Sequence, residues 1–323
     1  GRINPAFYYG VFDPKDLRRD MSCTVTGSSK GLEVLLPFAP GSQAKGGGIA
    51  CNKFDENRQT TTWTKNQRRS GINAPYMRLA EVYLGLAEAS AALGDEATAK
   101  QYLKTIRDRA FGGNGNVDAF IAKEGSVLKA VIDERGFEFA GEGDRRWTLI
   151  RTGLLHEKIK EIKDLTKKML DGLEADGFYT FDNGNTISAN IYTKMVDANA
   201  LIGHRLTEQT PAGKEDDPVL APGWRGVKND WSAYGLDYKG NTNTNIAIKG
   251  LFTKLSADEI DALKADGYKE TKWGAALVDN YDEYYTYLFY NFDYSKAPIY
   301  LFPFTPNTMA TGGFTNGYGF TNE

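Results

Sequence analysis

The sequence predicts a mainly α fold: packed helical hairpins, long irregular loops and a few short strands. Three observations carry that expectation. In YMRLAEVYLGLAEASAALG, beginning at Tyr76, apolar residues recur at Leu79, Tyr83, Leu86 and Leu93, the spacing of one helical face. Ala80, Leu84, Ala87 and Ala91 make a second stripe, rotated from the first, so the pattern predicts a helix packed closely on both sides. Gly94 then stops that helix, and Asp95 stands ready to cap a second one, Glu96 to Ala110, with Ala99, Leu103, Ile106 and Ala110 turned inward. The two make an antiparallel hairpin with almost no linker.

Each remaining element follows from local signals. Gly1 to Arg69 shows little helical periodicity and reads as irregular chain with a few short strands. Asp13-Pro14 marks a turn. Gly46-Gly47-Gly48 is a flexible loop, because the Lys-Ser/Thr of a phosphate cradle does not follow it. After the hairpin, Ser126 to Ala140 supplies Leu128, Val131, Ile132 and Phe139 to the same core. Leu154 to Asp176 reads as a long amphipathic helix with Leu155, Ile159, Ile162, Leu165 (or Thr166) and Met169 on its buried stripe. Its lysines, Lys158, Lys160, Lys163, Lys167 and Lys168, are neutralised by Glu157, Glu161 and Asp164 and form a solvated face. Asn183-Gly184, between alternating flanks, predicts a hairpin of strands. Asn190 to Lys254 is loop-like, a length that compact domains keep for function. Ser256 and Glu259 form a capping box, and Asp266-Gly267 ends the short helix it opens. Val278 to Tyr294, crowded with tyrosines, reads as a helix or helix-to-loop segment against the core. The expected organisation is one domain over 1–323, with a helical core at about 75–176 and an aromatic loop region at about 177–300.

A chain of 323 residues can bury a large core. With 39 Lys+Arg against 42 Asp+Glu, interspersed, it lacks the basic face that nucleic acid requires. No run approaches the roughly 18 apolar residues of a spanning helix. Cys23 and Cys51 could pair in an exported protein, but nothing in their spacing forces a bridge, and two free thiols is the simpler reading.

The Tyr76 hairpin is similar to a tetratricopeptide unit, whose faces need neighbours to be buried. The order RLAEVYLGLAEA, LKTIRDRA, IDERGFEFAGEGDRRWTLIRTG resembles the signature of the SusD/RagB family, the surface glycan-binding lipoproteins of the Bacteroidetes outer membrane. The likeness is specific over Tyr76 to Gly153 and weaker in two other places. Asp16-Leu17-Arg18-Arg19-Asp20 resembles an element that precedes strands in the family. IYLFPFTPNTMATGGFTNGYGF resembles its closing segment, with Phe304 in place of the usual isoleucine and Gly317-Tyr318 where Pro-Gly-Tyr would stand. The resemblance implies a SusD-like fold, no cofactor, a glycan ligand and a SusC-like TonB-dependent transporter as partner. It also implies membrane contact through an N-terminal lipid that this chain does not carry. Family chains are longer and begin with a signal peptide and a lipid-acceptor cysteine, so it implies that the N-terminal half is missing here.

Three chemistries can be weighed on the residues themselves. Glu134, Glu138 and Glu142 lie four apart and offer paired carboxylates, the equipment of a helical-fold glycoside hydrolase. Arg135, Arg145 and Arg146 stand beside them, so a salt-bridge network is the simpler account. His156 and His204 are the only histidines, and neither HExxH nor CxxC occurs. Asp182 to Asn185 is too short for a calcium loop. A sugar site instead needs exposed aromatic faces with polar rims on loops. Trp224, Arg225, Trp231 and Tyr234 fit, with Asn229, Asp230 and Tyr238 nearby, and so does Trp63. Tyr8 and Tyr9 fit less well, Trp273 is open, and Trp147, inside the signature, is expected in the core. A peptide-binding scaffold is a further alternative, opposed by the two apolar stripes of the Tyr76 helix, which predict that the hairpin is covered.

Overall fold

Phe7, Tyr8, Tyr9 and Phe12 crowd four aromatic rings into six residues, and the N-terminal segment is buried because of them. Tyr8, Tyr9 and Phe12 are each at most 2% exposed. The structure, a computed structural model, describes residues 2–29, 32–39, 48–53, 75–197, 244–290, 292–296 and 303–317. A short helix α1 (Arg18–Ser22) follows, then strands β1 (Cys23–Thr24), β2 (Thr26–Ser29), β3 (Leu32–Leu35) and β4 (Ala50–Cys51). β1 pairs with β4 and β2 with β3, both antiparallel, which places Cys23 opposite Cys51. Both thiols are free, and burial pushes the Cys23 thiol far up.

The hairpin stands as the spacing predicts: α2 (Leu79–Ala92) and α3 (Glu96–Ala110). Gly94 takes the left-handed conformation (φ +84°) that lets the chain reverse. The Asp95 carboxylate then accepts a hydrogen bond from the Thr98 amide and caps α3. α4 (Val117–Glu124), α5 (Val127–Glu138), α6 (Asp144–Arg151) and the 22-residue α7 (Leu155–Asp176) complete the helical body. The mainly α expectation holds.

One expectation about α2 does not hold. Ala80, Leu84 and Ala87 are buried against α3 and α5, but Leu79, Leu86 and Leu93 are 65%, 43% and 86% exposed. The helix is covered on one side only among the described residues. Trp147 is a second departure, being 61% exposed. The neighbours Thr148 and Leu149 are the buried residues of α6, and a side chain one residue away is turned about 100° around a helix.

Beyond α7, β5 (Phe178–Thr180) and β6 (Thr186–Ser188) form the hairpin expected at Asn183-Gly184. The Asn183 amide donates to the carbonyls of Tyr9 and Phe12, and Asn185 to that of Tyr9, so this turn clamps the N-terminal segment. The loop expected from Asn190 is corrected at both ends. β7 (Asn190–Asp197) pairs with β8 (Thr244–Lys249), with Tyr192 opposite Lys249. After α8 (Ala257–Ala265), opened by the Ser256–Glu259 capping box, β9 (Lys269–Lys272) joins the other edge of β7. α9 (Gly274–Asp279) gives way to a π-helical turn at Asp282–Thr286, the helix-to-loop form of the tyrosine segment, and α10 (Pro306–Gly312) follows.

Candidate functional site

The carboxylates that offered catalysis sit on α5, a helix whose charged residues are buried: Asp133, Glu134, Arg135 and Glu138 are all at most 9% exposed. Burying a charge is tolerable only where opposite charges and hydrogen bonds replace water. Here they do. Arg18 reaches from the start of α1 to Glu134 at 2.7 Å and Glu138 at 3.1 Å. Arg107 of α3 reaches the other oxygen of Glu134 at 2.7 Å, and Arg109 reaches Glu138 at 2.6 Å. Arg78, just before α2, pairs with Glu138 and Glu142, each at 2.8 Å, and Lys53 pairs with Glu142. Aromatic faces close the cations in, with Arg107 3.7 Å from the Phe120 ring centre and Arg78 4.8 Å from that of Phe139.

The electrostatic consequence decides what this cluster can do. Burial pushes the Glu138 carboxyl up. Hydrogen bonds from Arg78 and Arg109 and the charge of Arg18 outweigh it and hold the group at about 2. A general acid for glycosidic cleavage needs the opposite, a carboxyl raised towards neutrality. Every cation bound to Glu134 and Glu138 comes from the helical body or the segment wrapped around it. The cluster is a clasp that ties α1, α2, α3 and α5 together.

The structure treats the proposed aromatics unevenly. Trp63, Trp224, Arg225, Trp231 and Tyr234, with Asn229, Asp230 and Tyr238, lie outside the described residues. Tyr8 and Tyr9 are core, and Trp273 is fully buried, its indole N–H donating to Tyr9 Oη at 2.9 Å.

Two surface features were not anticipated. The first is a run of exposed tyrosines: Tyr287, Tyr290 and Tyr294 are 65%, 75% and 56% exposed. His156 of α7 stacks beside Tyr294 at 5.7 Å, and the Lys163 ammonium lies 5.5 Å from the Phe292 ring centre. The crowding of tyrosines in this stretch suggested core, and no periodic signal marked them as exposed, because the chain here is turn and coil. The second is a cavity of about 200 Å³ at the C-terminal end of α7. Phe178, Ser188, Asn190, Tyr192, Lys254 and Leu255 are among its walls. Lys254 Nζ stands 3.7 Å over the Phe178 ring centre, and Ser188 Oγ is buried with no hydrogen-bond partner among the described residues. Apolar ring faces beside hydroxyl, amide and ammonium groups are what a flat polyol ring can use. Among the described residues, no group of three or more His, Cys, Asp or Glu could hold a metal ion, and no helix is long and apolar enough to cross a membrane.

Comparison with known proteins adds the following. The model of a family described as the SusD family matches residues 39–303. A 91-residue stretch is 36% identical to the SusD-like protein P25 of Formosa agariphila, covering 28% of this chain and 17% of that relative. No solved structure matches the chain.

Proposed function

Because the chain belongs to the SusD family, we propose that it binds oligosaccharides at the bacterial outer-membrane surface without cleaving them and delivers them to a SusC-like TonB-dependent transporter for uptake. The observation that carries this reading is the family match over residues 39–303. In this reading the protein is a lipoprotein, held to the membrane by an N-terminal lipid, with its helical body as a rigid scaffold. Trp63, Trp224, Arg225, Trp231 and Tyr234 supply ring faces and hydrogen bonds to the sugar. Two features of the described surface support such a ligand: the exposed tyrosines 287, 290 and 294, and the Phe178–Lys254 cavity, smaller than the roughly 300–1,000 Å³ of sites for drug-sized ligands and suited to one sugar ring. Affinity per site is modest, because sugar hydroxyls exchange water for protein at little net gain.

Calorimetric titration with a panel of oligosaccharides tests the assignment. Trp224→Ala/Trp231→Ala is expected to lower affinity about tenfold, the scale of about 1.4 kcal/mol from lost ring stacking. Unchanged affinity in a folded variant would remove these loops from the site. The competing reading, a glycoside hydrolase using Glu134 or Glu138, requires sustained release of reducing ends that Glu138→Gln abolishes. The carboxyl held at about 2 by its arginines speaks against it.

A further inference from the structure

Strands β1 and β4 bring the two cysteines of the sequence face to face. Cys23 stands directly opposite Cys51, and Thr24 opposite Ala50. The next step of the ladder fixes the kind of pair they make. The Asn52 amide donates to the Ser22 carbonyl at 2.7 Å, so Ser22 and Asn52 are a hydrogen-bonded pair. Hydrogen-bonded and non-hydrogen-bonded pairs alternate along an antiparallel ladder, which makes Cys23 and Cys51 a non-hydrogen-bonded pair. Such a pair holds its Cα atoms about 4.5 Å apart with both side chains on one face, and a disulfide spans Cα separations of about 4.4–6.8 Å. The sequence holds no third cysteine, so within one molecule each has a single partner.

The surroundings give the two thiols different roles. Cys23 is 2% exposed, and burial, then the nearby Asp20 and Cys51, push its thiol far up. Cys51 is half-buried and is the sulfur a reagent meets first. Its Sγ lies against Gly141, where an added Cβ would stand 2.4 Å from it, so the glycine keeps room for the sulfur. β4 also runs straight into the clasp. Asn52 Nδ2 donates to the Asp20 carbonyl at 3.4 Å, and Lys53 Nζ to the Glu138 carbonyl at 2.6 Å. A covalent link at Cys51 therefore ties one cation of the clasp to β1.

We propose that Cys23 and Cys51 close into a structural disulfide, stapling β4 to β1, when the protein meets a small-molecule or protein disulfide as oxidant. With glutathione disulfide the Cys51 thiolate attacks one sulfur, forms a mixed disulfide and releases one glutathione. The Cys23 sulfur then gives up its proton, attacks Cys51 Sγ and releases the second. In sum, two cysteine S–H bonds and the glutathione S–S bond break. One protein S–S bond and two glutathione S–H bonds form, and two electrons pass to glutathione. The bridge closes a loop with residues 24–50 between its ends, which restricts the unfolded chain.

The protein is exposed to oxidised glutathione in two ways, as the native reduced chain and during refolding from the reduced, unfolded chain. Free thiols are then alkylated in denaturant, and the digest is read by mass spectrometry. The expected result, in either preparation, is a peptide pair joined through Cys23 and Cys51 and a whole-chain mass lower by two hydrogens. Two alkylated cysteines, glutathione retained on Cys51, or chains joined to one another in both preparations overturns the proposal. Melting gives an independent reading. The oxidised protein should melt several degrees above its reduced form, and the difference should vanish in Cys51→Ala. Equal melting of the oxidised and reduced forms overturns the stapling role. Neither measurement involves a glycan, so failure here leaves the sugar-binding reading untouched.

Discussion

Helices α5 and α7 carry similar densities of charge and use it in opposite ways. On α7, Lys160 pairs with Asp164 and Lys167 with Asp171, all four at the surface and all one turn apart on the same helix. On α5, Glu134 and Glu138 are buried, and their partners arrive from the α1, α2 and α3 regions. The first arrangement is local and screened by water. The second fixes how separate segments meet, because a carboxylate shut away from water demands its cations in place. Charge pattern along a helix therefore does not reveal whether the charges are decoration or framework. The origin of their partners does.

Removing one carboxylate from each helix tests that contrast. Glu134→Ala leaves Arg107, 5% exposed, and Arg18 facing an empty site. The expected loss is about 3–5 kcal/mol in urea unfolding, the usual cost of breaking a buried ion pair by removing one partner. A loss below about 1 kcal/mol would mean that water reaches the clasp. Next in size is the acid response of Glu138. Its folded value, about 2, lies below the unfolded value of about 4.3, so its contribution is complete above the unfolded value. That contribution disappears as pH falls through the folded value, and two units correspond to about 3 kcal/mol at most. Thermal scans from pH 5 to pH 2 should show a shallower decline in Glu138→Gln than in the unaltered protein; parallel declines would place the acid sensitivity elsewhere. Smallest of all is Lys167→Ala on α7, for which the melting temperature should not move measurably, and a clear drop would show the surface pairs to be structural after all.

The same distinction between local and distant partners explains what could be read from the sequence. The Asp95 cap, the Ser256–Glu259 box and the turn at Gly184 need only neighbouring residues, and all three are found where expected. β7 and β8 were hidden because Tyr192 finds Lys249 only after a long excursion of the chain. Both stripes of α2 are apolar as read, but periodicity defines faces and says nothing of what lies opposite them. Trp147 sits in a well-marked motif and still faces outward, since the motif supplies burial through Thr148 and Leu149. Of the sugar site, the requirement for ring faces was legible. The residues chosen for it lie outside the described parts, and the exposed tyrosines were masked by their own density.

The bond from Trp273 to Tyr9 has a consequence for the order of events during synthesis. A chain made from its N-terminus delivers Tyr8 and Tyr9 early, yet Phe252, which packs on both rings, and Trp273, which bonds Tyr9, leave the ribosome some 240 to 260 residues later. Contacts so distant in sequence form late. Phe7 and Phe12 meet Phe137 much sooner, but until Phe252 and Trp273 arrive the two tyrosine rings lack part of their cover, an invitation to aggregation that whatever escorts the nascent chain must answer.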